Sequence, residues 1–184
     1  DINNDGCVQL NDLLDLLSAY GDCAAEESPW QCGDPLEYQG YDYETVQIGE
    51  QCWFAENLRA ENYRNDQPIA SHVSNEVWIA LASGARTVYG GIQDSPCVDD
   101  HAPWNTCDTI LSLETYGRLY NWFAVNDNRH LCPLNWHVPS NFDWSELTTH
   151  LGGESVAGIS MKTEDGWYVG EGGDNSSGFS AYPG

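Results

Sequence analysis

Six side chains among 184 residues carry permanent positive charge: Arg59, Arg64, Arg86, Arg118, Arg129 and Lys162. Against them stand 29 Asp and Glu, so the formal net charge is −23. So few cations cannot neutralise a phosphate backbone, which excludes nucleic acid as a partner. An anionic membrane surface repels the chain for the same reason. No apolar run reaches the ~20 residues of a membrane span. Acidity of this order can prevent folding, but 41% hydrophobic and 12% aromatic residues supply ample core material. One Lys and 18 Gly suit a loop-rich globular fold better than a helical bundle.

The chain opens on Asp1 with no basic or apolar leader, as expected of a sequence from which an export signal has been removed. Seven cysteines also point to an oxidising, extracellular compartment. None forms a CxxC pair, and His72, His101, His130, His137 and His150 show no ligand spacing, so the cysteines read as disulfide staples rather than a zinc site.

The first twelve residues, DINNDGCVQLND, place Asp1, Asn3 and Asp5 in alternation, then Gly6, and close on Asp12. This is the spacing by which an EF-hand loop wraps a hard cation. Side-chain oxygens of Asp1, Asn3, Asp5 and Asp12, with the Cys7 carbonyl, form the expected calcium set. Leu10, Leu13, Leu14, Leu17 and Tyr20 then recur at helical spacing before Gly21. A helix of that length is too short to stand alone and needs a surface to rest on. Cys7 and Cys23 flank it too far apart to be bridged. Cys23–Cys32 is the easier pair, and Cys7 the candidate odd thiol. The acidic, turn-rich segment 24–36 reads as a linker, dividing the chain into units 1–23 and 37–184.

In the larger unit, TVQIGEQCWFAENL predicts a hairpin turning at Gly49, and YGRLYNWFAV predicts a largely buried helix. CPLNWHVPSNFDWSELTTHLGG predicts a helix capped by Ser140, with Asp143 completing the cap, Trp144, Leu147 and Leu151 on one face, and Gly152 as its stop. Cys97–Cys107 would close a loop worth about 3 kcal/mol. Asp94, Asp99, Asp100 and Asp108 around that loop suggest a second calcium site. Trp30, Trp78, Trp104 and Trp167 could stack on sugars if exposed, although burial is the commoner fate. Asn175-Ser176-Ser177 is a glycosylation sequon, and Thr109 lies in an O-glycosylation-like Asp-Thr-Ile. A Cys132 nucleophile served by His130 or His137 is the only catalytic pairing that suggests itself. No two carboxylates stand out as a hydrolytic pair, so the chain reads as non-enzymatic.

Two resemblances follow from these blocks. DINNDGCVQLNDLLDLLSAYG resembles one dockerin calcium repeat, where a full dockerin has two. The ordered blocks YQGYDYETVQIGEQCWFAENLR, YGRLYNWFAV, LCPLNWHVPSNFDWSEL, AGISMK and SSGFSAYPG resemble the Fibrobacter succinogenes major paralogous domain. That likeness implies an α+β, C-type-lectin-like, disulfide-stapled fold in an exported surface protein, with Cys52 pairing with Cys132 across the core. The family has Gly where Asn135 stands, and Asn also tolerates the left-handed turn. Family members run on past the phrase ending at Gly184, so either the chain is cut there or a neighbour's strand completes the fold. The expected function is a calcium-stabilised surface subunit that docks on copies of itself or on other surface proteins. The alternative is a lectin-like module binding carbohydrate.

Overall fold

The computed structural model describes residues 10, 13, 29–71, 74–90, 108–168 and 170–183. The chain divides into two compact units, Asp1–Gln31 and Cys32–Gly184. In the first, Leu10 and Leu13 have helical backbone and exposed side chains, as two members of the expected stripe. The remaining stripe residues lie outside the described residues, as do Asp1, Asn3, Asp5, Cys7 and Asp12 of the calcium loop.

The larger unit is a mixed α+β domain built from small sheets. Strands β1 (Leu36–Tyr38) and β2 (Tyr41–Tyr43) pair antiparallel across Gln39 and Gly40, both at positive φ, the geometry of a tight two-residue hairpin turn. Strands β3 (Thr45–Ile48) and β4 (Gln51–Phe54) form the hairpin expected from sequence, with Gly49 at φ 63° as the first turn residue. A third sheet places β6 (Ala85–Thr87) between β5 (Ala70–Ser71), parallel to it, and β7 (Leu119–Tyr120), antiparallel to it. Among the described residues five helices complete the unit: α1 (Asn75–Ala80), α2 (Thr109–Tyr116), α3 (Trp122–Val125), α4 (Asn141–His150) and α5 (Glu154–Met161).

The expected continuous helix over YGRLYNWFAV is corrected by the structure. Gly117 ends α2 at φ 65°, and a Cβ there would stand 2.8 Å from the Asn57 Cβ and 2.9 Å from the Leu58 carbonyl oxygen. The chain then extends as β7, where Tyr120 faces Arg86 of β6, and turns into the short α3. Tertiary strand pairing thus overrides a helical spacing of aromatics.

Two apolar clusters hold the unit together. Ala60, Tyr63, Ile69, Ala124 and Leu131 pack with Tyr38, Leu58, Tyr120 and Val125. Ile48, Trp53 and Leu147 pack with Val46, Leu151, Met161 and Phe179. Burial of each large side chain contributes about 1.5–3 kcal/mol. Trp53 and Trp144 approach to 4.9 Å between centroids, and Phe179 meets both edge-on.

Helix α4 starts as expected. Ser140 Oγ accepts from the Asp143 amide, and the Asp143 carboxylate accepts from the Ser140 amide at 2.7 Å. Helix α5 ends differently: the segment after it caps it. The amides of Asp174, Ser177, Ala181 and Asn175 donate to the carbonyls of Ile159, Ser160, Met161 and Lys162, groups that a helix end would otherwise leave open. This stitch joins the AGISMK and SSGFSAYPG blocks. Asn135 adopts φ 68°, the left-handed turn expected of it.

The disulfide pattern also corrects the sequence reading. Cys32 pairs with Cys52, at a Cα separation of 5.8 Å, so neither Cys23–Cys32 nor Cys52–Cys132 forms. Cys132 is a free, buried thiol. The β1–β2 hairpin folds the chain back so that Cys32 meets β4. Thr45 Oγ1 fixes the approach, accepting from the Gly33 amide and donating to the Asp34 carbonyl. Cys23, Cys97 and Cys107 lie outside the described residues.

Candidate interaction surface

The chemistry-bearing side chains fall into four groups, and the first is a half-buried arginine node. Arg86 on β6 and Arg118 before β7 both contact the Glu61 carboxylate. Arg118 Nε donates to the Arg59 carbonyl, while the Arg59 guanidinium donates to Glu56 and to the Glu114 carbonyl. Burial and the neighbouring Arg118 charge pull the Arg86 pKa below its ordinary value. Through the solvent-exposed Glu61 carboxylate, this node ties segment 56–61 to the third sheet. It is a structural fastening.

The second group contains Ser140, Asp143 and His137. Asp143 Oδ2 accepts from Ser140 Oγ at 2.6 Å and lies 3.2 Å from His137 Nε2. The carboxylate is thus the central member, whereas nucleophilic activation needs histidine between serine and acid. Hydrogen bonds from the Ser140 hydroxyl and amide, aided by His137, lower the Asp143 pKa to about 2. The arrangement keeps an anion at the start of α4, where the helix dipole favours it.

Cys132 forms the third. Burial pushes its thiol up to about 11, partly opposed by the Arg64 charge. Arg64 Nε donates to the Cys132 carbonyl at 2.8 Å, and a second Arg64 nitrogen donates to the Trp136 carbonyl. A nucleophilic cysteine needs the reverse, a lowered pKa and access. Among the described residues no hydrogen bond joins its sulfur to His130 or His137.

The fourth group is the surface itself. Trp122 on α3 and Phe142 on α4 are each 68% exposed. Ile110, Leu111, Leu119, Phe123 and Leu134 are exposed as well. Large apolar side chains left in water mark interaction surfaces when they gather into patches. Ile110 and Leu111 are adjacent on α2, Leu119 lies on β7, and Trp122 and Phe123 open α3.

The other sequence-predicted sites distribute as follows. Asp108 of the suggested second calcium cluster caps α2, its Oδ1 accepting from the Ile110 and Leu111 amides. Asp94, Asp99 and Asp100 lie outside the described residues, as do His72, His101 and Trp104. Among the described residues no group of three or more His, Cys, Asp or Glu could hold a metal. Thr109 is exposed at the first turn of α2. Asn175 is half-buried, its amide nitrogen donating to Ser180 Oγ and its oxygen accepting from the Ser180 amide. Trp30 is exposed, Trp78 half-buried, and Trp167 half-buried beneath Lys162. The imidazole of His150 packs on the Gly49 turn. No described helix is long and apolar enough to cross a membrane.

The arginine node and the exposed α2–α3 apolar residues escaped sequence reasoning. The node's Arg59, Arg86 and Arg118 lie far apart in the chain, and exposure of a Trp has no sequence signature. Residues 46–184 match the family model of the Fibrobacter succinogenes major domain. No curated protein and no solved structure matches the chain.

Proposed function

The chain belongs to the Fibrobacter succinogenes major domain family, and from that membership we propose that it is a non-enzymatic, extracellular interaction module of a bacterial surface. In this reading its C-type-lectin-like domain docks on another copy of itself, and the N-terminal loop is stiffened by calcium. One observation carries the docking: Trp122 and Phe142 stand 68% exposed, although the domain has two apolar clusters in which to bury aromatics. The inverted Ser140–Asp143–His137 order and the suppressed Cys132 thiolate support a role without catalysis. The Cys32–Cys52 bridge supports an oxidising compartment. The hard-oxygen donor set of Asp1, Asn3, Asp5, the Cys7 carbonyl and Asp12 supports calcium.

Two copies at −23 each repel one another, so apolar docking should strengthen as salt screens that repulsion. Sedimentation over a concentration series, at low and physiological salt and with or without chelator, tests the reading. Reversible association that rises with salt and weakens in Trp122→Glu and Phe142→Glu is the expected result. A monomer under every condition refutes self-docking.

A further inference from the structure

All six cations of this chain have internal partners, and half of them rest on aromatic faces. The Arg59 guanidinium lies 4.1 Å from the Tyr41 ring centroid, Arg129 3.9 Å from Tyr63, and Lys162 Nζ 4.3 Å from Trp167. Arg86 and Arg118 are held by Glu61, and Arg64 by the Cys132 and Trp136 carbonyls. None remains for a further aromatic site. Yet one solvent-facing aromatic group has the form of such a site without a cation: Tyr89, Tyr116 and Tyr182.

These tyrosines come from three remote parts of the chain. Tyr89 follows β6, Tyr116 closes α2, and Tyr182 lies beyond the segment that caps α5. Their rings meet in sequence, Tyr89 to Tyr116 at 5.5 Å and Tyr116 to Tyr182 at 6.3 Å. The planes are inclined by 56° and 84°, so the outer rings stand as walls beside the central one rather than continuing it as a flat sheet. Tyr116 is half-buried, whereas Tyr89 and Tyr182 are 42% and 39% exposed. Backbone bonds set the Tyr182 wall in place: the Ala181 amide donates to the Met161 carbonyl, and the Thr163 amide donates to the Ala181 carbonyl, immediately before Tyr182. Aromatic rings set at an angle to one another can share a cation between their negative π faces, which is how aromatic cages take organic cations. A net charge of −23 raises the local concentration of cations and repels anions.

We propose that Tyr89, Tyr116 and Tyr182 form a binding site for an external organic ammonium group, either a quaternary headgroup or the lysine side chain of a partner. The proposal rests on residues other than Trp122 and Phe142 and does not depend on the self-docking reading.

The test is an NMR titration of the intact chain with choline, with its uncharged isostere 3,3-dimethylbutan-1-ol, with Nα-acetyl-lysine methylamide, and with cellobiose. Choline or the lysine amide should shift the resonances of Tyr89, Tyr116 and Tyr182 saturably. The uncharged isostere should bind at least about tenfold more weakly, because it lacks the charge that the π faces attract. Whichever cation binds more tightly identifies the source. Tyr182→Phe keeps the π face and should retain binding, while Tyr182→Leu should weaken it about two- to fivefold. Equal binding of choline and its isostere would reduce the group to an apolar patch and overturn the proposal. Binding of cellobiose alone, no saturable shift, or loss in Tyr182→Phe with the fold intact would overturn it too.

Discussion

The Tyr63 hydroxyl occupies the place where residue 84 would carry a side chain: a Cβ built on Gly84 stands 1.9 Å from that oxygen. Tyr63 is fully buried in the first apolar cluster, and the Ala124 Cα, 3.1 Å from the same point, blocks the other side. Neither neighbour can yield without moving the core. Gly84→Ala should therefore destabilise the domain by about 1–3 kcal/mol, the usual cost of overpacking. Tyr63→Phe removes the clashing oxygen, so the double variant should recover part of the loss. A double-mutant cycle by chemical denaturation measures that coupling, and strictly additive losses would show the clash is relieved elsewhere.

The buried Cys132 thiol makes a prediction on the alkaline side. Its folded pKa is raised to about 11 from 9.0, so between those values the unfolded chain releases a proton that the native state keeps. Stability contributed by the neutral thiol is fully present below pH 9 and lost as pH rises to 11. The loss is on the order of 2–3 kcal/mol for a shift of this size. Tyr43, pushed by burial up to about 12, adds a loss of the same sign above pH 10. Cys132→Ala should flatten the stability profile between pH 9 and 11 relative to the parent. A thiol reagent should find Cys132 unreactive in the native protein at pH 8 and reactive once unfolded.

The cap of α4 gives the opposite pH dependence. The Asp143 carboxyl is lowered to about 2 from 3.8, chiefly by the Ser140 hydroxyl and amide. Its contribution is present above pH 4 and lost as pH falls through 2. Ser140→Ala should cost about 1 kcal/mol at neutral pH, as loss of an N-cap usually does. It should also return the Asp143 titration toward 3.8, which carboxyl NMR resolves. An unmoved Asp143 pKa in that variant would mean the serine is not its main partner.

What was legible in the sequence was local. The Ser140 cap, the Gly49 turn and the left-handed Asn135 each depend on chemistry within a few residues, and each stands where it was expected. The misread features are decided at a distance. Cys52 pairs with Cys32 because the β1–β2 hairpin returns the chain to β4, and no spacing of cysteines records that return. Tyr116, Leu119, Tyr120 and Phe123 have helical spacing, yet contacts with Asn57 and Leu58 permit only glycine at 117 and break the helix there. The tyrosine group was invisible for the same reason, since its members meet only after the domain has folded.

Calcium offers the last prediction. Asp1, Asn3, Asp5 and Asp12 supply hard oxygens at loop spacing, and ions that bind only the native state stabilise it by mass action. At a calcium concentration a hundredfold above the dissociation constant, the loop and its helix should gain about 2.7 kcal/mol. Magnesium should substitute poorly, because it demands a tighter octahedral shell. Asp1→Ala or Asp5→Ala should abolish the gain. Calorimetric titration measures the binding, and helical circular dichroism with and without chelator measures the coupled folding. Heats indistinguishable between the parent and Asp5→Ala would show that the opening loop does not hold the ion.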